Sequence, residues 1–175
     1  MKVLKMNNGA MMSKMSDVER ENMENLMVNA MVKQEGLEQV QMCNANVTDR
    51  FLGKILEKLA VHREEHNVKE LWLESNPIGD EGMKSMARFI ENDDRIETVK
   101  LFNNKKTIST KVLNEVLSAL ANNTTITKFV FDGFRFQDQR DRKDRYLWRN
   151  QERNRKKRKK NQRKKDVMSS NLRTQ

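Results

Sequence analysis

The chain has 175 residues, enough for one domain with a real core. Its charged fraction is 34% and its mean hydropathy −0.92, and no apolar run approaches the roughly 18 residues of a membrane span. A single cysteine, Cys43, excludes an internal disulfide and suits a reducing compartment. The net charge of +10 is unevenly held. Residues 1–134 carry 18 Lys/Arg against 20 Asp/Glu, whereas residues 135–165 carry 16 against 4. A near-neutral body joins a strongly basic tail, and the two need separate explanations. The first residues, Met1-Lys-Val-Leu-Lys, lack the apolar stretch of a secretory signal, so a cytoplasmic protein is expected.

A faint strand comes first in chain order: Met1, Leu4, Met6 and Met11 weakly fit a frame that is clearer later. Ser16-Asp-Val-Glu19 is a capping box. It opens a helix whose stripe is Met23, Leu26, Met27, Ala30 and Met31, and Gly36 supplies its C-cap. The clear frame has apolar residues at offsets 0, 3, 5 and 10, with Asn at 8. It fits Leu37, Val40, Met42 and Val47, with Asn44 one place early. It fits Val68, Leu71, Leu73, Asn76 and Ile78, then Ile96, Val99, Leu101 and Asn104, then Ile126, Phe129, Phe131 and Phe136. The starts at 37, 68, 96 and 126 are 31, 28 and 30 residues apart.

Helical stripes fill the intervals. Residues 50–61 use Phe51, Leu52, Ile55, Leu56 and Leu59; 80–91 use Met83, Met86, Ala87 and Ile90; 111–121 use Leu113, Val116, Leu117 and Leu120. Strands alternating with helices at this period predict an α/β solenoid with parallel strands on the concave side and helices on the convex side. The repeats occupy residues 1–136. Residues 137–165 contain neither Gly nor Pro and read as a basic helix, with Tyr146, Leu147 and Trp148 laid over the last repeat. Residues 166–175 read as a disordered end.

Little of the sequence points to catalysis. His62-Arg-Glu-Glu-His66 fits H-x-x-E-H, a zinc-peptidase signature, but it sits at a helix end and the chain has no third histidine. The expected reading is a polar helix C-terminus, with no metal, no cofactor and no enzyme. Cys43, at offset 6, reads as a small buried or half-buried thiol rather than a nucleophile. Offsets 4 and 6 face out of the concave sheet, where Trp72 and Phe102 are large apolar groups that either anchor a partner or are covered by neighbouring side chains or the tail. The tail carries Arg153, Arg155, Lys156, Lys157, Arg158, Lys159, Lys160, Arg163, Lys164 and Lys165. That run suits nuclear import, nucleic acid, an acidic membrane surface or an acidic filament, or else is a solvated disordered extension, and no aromatics are interleaved for base stacking.

Several pieces stand in order: Leu71-Trp-Leu-Glu-Ser-Asn76, then Glu91-Asn-Asp-Asp-Arg-Ile-Glu97, then Leu120-Ala-Asn-Asn-Thr-Thr-Ile-Thr-Lys-Phe129, then Phe134-Arg-Phe136 before a basic helix. Over about residues 37–150 this resembles the leucine-rich-repeat domain of tropomodulin and leiomodin, the actin pointed-end proteins. The resemblance implies a monomeric, cytoskeletal actin-binding protein, acting beside tropomyosin. By position it implies actin contacts from Arg140, Arg142, Arg145 and Arg149. The family's Gly-Pro-Arg is replaced here by Asp138-Gln139-Arg140. The family's N-terminal half, with its tropomyosin-binding helices, has no counterpart in these 175 residues, so the chain reads as a fragment or a short divergent relative. The alternative is a leucine-rich-repeat adaptor whose polybasic tail binds nucleic acid or directs nuclear entry.

Overall fold

The computed structural model describes residues 2–6, Gly9 and residues 14–172, with 166–172 described as backbone alone. Ten elements alternate along the chain: β1 (Lys2–Lys5), α1 (Asp17–Lys33), β2 (Leu37–Gln41), α2 (Asp49–Val61), β3 (Glu70–Trp72), α3 (Asp80–Asn92), β4 (Thr98–Lys100), α4 (Thr110–Asn122), β5 (Lys128–Val130) and α5 (Gln137–Leu172). The strands form one parallel sheet in the order β1-β2-β3-β4-β5. Register advances repeat by repeat: Val40 stands opposite Leu71, Leu71 opposite Val99, and Val99 opposite Phe129. β1 joins the edge with Leu4 opposite Val40; Met1 and Met11 lie outside the described residues.

The core runs between sheet and helices. Every residue at offsets 0, 3 and 5 of the four clear repeats is buried, and so are the stripes of α2, α3 and α4. Offset 10 holds only at Val47 and Ile78. In the last repeat Phe136 is 58% exposed, and Phe134 is buried instead. Phe134 stacks edge-on against Phe131 at 5.3 Å, so the shorter turn after β5 brings an earlier aromatic inward.

The first helix also differs from expectation. Its capping box forms, with Ser16 and Glu19 bonded reciprocally. Its buried face, however, is Glu24, Val28, Met31 and Val32, while Leu26 and Ala30 point to solvent. α1 carries apolar side chains on more than one face, so periodicity alone admits two stripes. The ion pairs choose between them: Lys54 Nζ of α2 lies 3.0 Å from Glu24 and 3.4 Å from Glu21, and Arg50 pairs with Glu21.

The offset-8 asparagine does more than turn the chain. Asn76 is fully buried. Its Oδ1 accepts from the Ala45 and Val47 amides, both at 3.0 Å, and its Nδ2 donates to the carbonyls of Met42, Leu73 and Glu74. It thus ties its own repeat to the one before. Asn44 is not a misplaced copy of it. Asn44, Ser75 and Asn103 all adopt left-handed φ, at 51°, 61° and 58°. They share offset 7, a turn position that Asn tolerates better than most residues.

Two further ladders cross the repeat boundaries. Asp49 Oδ1 accepts from the Gly79 amide at 2.6 Å, and Asp80 Oδ1 from the Ser109 amide at 2.8 Å. Each carboxylate in the first turn of one helix therefore satisfies the N-cap amide of the next. A Cβ at Gly82 would lie 2.6 Å from Asp49 Oδ1, so glycine keeps this contact open. At the other helix ends, Asn123 Nδ2 donates to Ile90 and Asp93 carbonyls. Asn123 Oδ1 and Asp93 Oδ1 each accept amides two and three residues ahead.

Candidate functional site

The histidine pair forms no metal site. His66 is 2% exposed, and both ring nitrogens face backbone. Nε2 lies 3.1 Å from the Leu59 carbonyl and can only donate to it; Nδ1 accepts from the Val68 amide at 3.2 Å. This fixes the neutral tautomer with its proton on Nε2, and burial lowers the pKa below the usual 6.5. His62, at the C-cap of α2, places Nδ1 2.9 Å from Glu65. Among the described residues no three His, Cys, Asp or Glu side chains gather as a metal would require. The two histidines close a helix and start a strand.

The outward face of the sheet is polar and self-paired around one aromatic. Trp72 is half-buried. Its indole N–H donates to Glu70 Oε2 at 3.0 Å, and Lys100 Nζ sits 3.1 Å above its ring centroid. Gln39 Nε2 shares the same carboxylate at 2.8 Å. Phe102, one turn further along, is 44% exposed. Cys43 Sγ lies 3.1 Å from Glu74 Oε2. Burial, reinforced by that carboxylate, pushes its pKa up to about 11, so it is a poor nucleophile at neutral pH.

Helix α5 closes the end of the array. Leu147, Gln139 and Asn150 are buried and Tyr146 is half-buried, whereas Trp148, expected to pack, is 64% exposed. Asn150 Nδ2 donates to Asn123 and Ile126 carbonyls, and Gln151 Nε2 to Thr127. The helix carries on without a break to Leu172, past the boundary at 165 that composition suggested.

The four arginines assigned together from sequence have different surroundings. Arg149 is half-buried and donates to the carbonyls of Ala121 at 2.6 Å, Leu120 at 3.3 Å and Asn123 at 2.5 Å. These are orphan acceptors at the C-terminus of α4, so Arg149 is a cap. Arg140 reaches back to the Phe134 and Arg135 carbonyls and to Gln137. Arg142 is half-buried, and Arg145 is open to solvent. Beyond them every cation from Arg153 to Lys165 is exposed. Of the groups the sequence picked out, Phe102, Arg140, Arg145 and the basic run are therefore exposed, and Trp72 and Arg142 are half-buried beside them.

Three comparisons bear on this arrangement. The TMOD/LMOD leucine-rich domain model matches residues 2–153. No curated protein matches the sequence. Among solved structures, leiomodin-1 actin-binding site 2 superposes with a TM-score of 0.76 at 20% identity, over 90% of this chain and 85% of that one. The Caenorhabditis elegans tropomodulin C-terminal domain superposes at 0.71 with 22% identity, over 90% and 88%. Identities this low establish a shared fold, whereas the sequence match spans nearly the whole repeat array and the docked half of α5. By that match the chain belongs to the tropomodulin/leiomodin family.

Proposed function

We propose that this chain is a non-catalytic actin-binding protein acting at filament pointed ends. The observation that carries this reading is the extent of the family match, residues 2–153, which takes in the array together with its α5 cap. The likeness to a structure described as leiomodin-1 actin-binding site 2 supports it. Electrostatics agrees, because actin is acidic and α5 presents cations. The contacts we assign are Arg145 and Arg142 on α5, with Arg140 beside them, and Trp72 with Phe102 on the rim of the sheet. Arg149 contributes by holding α5 in place.

The test is elongation from pointed ends of barbed-end-blocked filaments, with and without tropomyosin. Dose-dependent inhibition is expected, weakened about tenfold by Arg142→Ala with Arg145→Ala, which is about 1.4 kcal/mol of binding. Inhibition that strengthens with tropomyosin would add a tropomyosin contact to the reading. No inhibition, and no co-sedimentation with filaments at low salt, would overturn it.

A further inference from the structure

The segment 153–165 follows Asn150, the last buried residue of α5 among the described residues; Asn154, Arg155, Arg158 and Lys159 border a cleft against Glu97 and Thr127, and the actin reading does not need the segment. It is helical throughout, and all of its cations are exposed. Ten of its thirteen residues are Lys or Arg, and none is acidic, aromatic or aliphatic. At about 100° per residue, the ten cations encircle most of the rod. The main uncharged sector holds Asn154 and Asn161. It continues the line of Leu147 and Asn150, which face the repeats.

That distribution discriminates among partners. A membrane-surface helix needs an apolar face to enter the bilayer interface, and this one has none. A protein interface draws its energy from a centre depleted of charge with buried aromatic, apolar or arginine anchors; this segment has no aromatic or apolar residue, and its four arginines stand among six lysines on all but one narrow sector. Duplex nucleic acid fits better. At 1.5 Å per residue the thirteen residues span about 20 Å, one positive charge per about 2 Å. The duplex carries one negative charge per about 1.7 Å. The major groove of B-form DNA, about 12 Å wide, admits a helix and sets phosphates on both of its walls. Neighbouring cations three and four residues apart repel one another, and flanking phosphates relieve that repulsion.

We propose that residues 153–165 form a sequence-independent binding helix for duplex nucleic acid, seated in the major groove and held by phosphate contacts. The test uses the full chain and a fluorescent 30-base-pair DNA duplex, with affinity followed from 50 to 200 mM salt. Six or more phosphate contacts predict a log–log slope of about −5 or steeper, and a loss of about a thousandfold across that range. The variant K156Q/K157Q/K160Q/K164Q should make the slope shallower by about three and keep the parent's melting temperature, since all four side chains are exposed and none lines the cleft against Glu97 and Thr127. Its pointed-end inhibition should be unchanged, which separates this proposal from the actin reading. Duplex affinity unaltered in the variant would overturn the proposal. So would tighter binding of the parent chain to phosphatidylserine vesicles, or to actin filaments through these four lysines, than to duplex at equal salt.

Discussion

The amide of Asn76 bonds backbone from two repeats at once, and nothing else in its surroundings can replace those five partners. Asn76→Ala removes the partner of two buried amides and of the Met42 and Leu73 carbonyls, whereas the Glu74 carbonyl keeps the Asn44 amide. It should lower the unfolding free energy by about 3 kcal/mol. Asn104→Ala, at a half-buried copy with fewer bonds, should cost clearly less; urea denaturation of both variants checks the order. His66 gives the fold a pH dependence. Its folded pKa is depressed by burial, with nearby Asp93 opposing. The unfolded chain therefore takes up the proton more readily. Stability is complete above the ordinary histidine value near 6.5 and declines as the pH falls below it. Urea midpoints between pH 7.5 and 5.5 should show this decline, and His66→Gln should remove it. Asn76 was legible in the sequence because its column repeats. The carboxylates Asp49 and Asp80 were equally legible at offset 12, and Asp93 and Asn123 three places before their frames, had those columns been aligned. Arg149 was not. Its partners are carbonyls, which every residue possesses, and only the seating of α5 brings them within reach.

At the scale of the elements, the strands and helices α2 to α4 follow directly from spacing, because each has one apolar face and one place to put it. The ends of the array are harder to read. α1 has a neighbour on one side only, and its orientation is set by ion pairs to Lys54 and Arg50, which an apolar stripe does not encode. α5 docks through Leu147 and Tyr146, as expected, but also through amides and a guanidinium, so Trp148 was a misleading cue and Asn150 a silent one. The two arginines on this helix should therefore separate cleanly. Arg149→Ala exposes the α4 carbonyls to a poorly solvated gap and should destabilise the fold by about 1–2 kcal/mol. Arg145→Ala should leave stability within about 0.5 kcal/mol and act on actin binding alone. Thermal melts of the two variants, set beside filament co-sedimentation, check the separation.

Across the whole molecule, the substantial helix contacts run from each helix to the next, α1 with α2 through α4 with α5, and each strand pairs with its sequence neighbours. The Asn76, Asp49, Asp80 and Asn123 ladders likewise span one repeat boundary each. Stability is then a sum of neighbour terms, with no keystone. The α1–α2 boundary is partly polar, resting on Glu21 and Glu24 against Arg50 and Lys54 beside the buried Val28, Met31 and Val32. A protein stitched in this way has a distinctive response to tension. Drawn from its two ends, it would not burst. It would peel from the α1 side, one repeat at a time, and each repeat of about 30 residues would pay out roughly 100 Å of slack. Under load such a chain would lengthen in steps from the α1 side, while α5 and the repeat beside it hold longest.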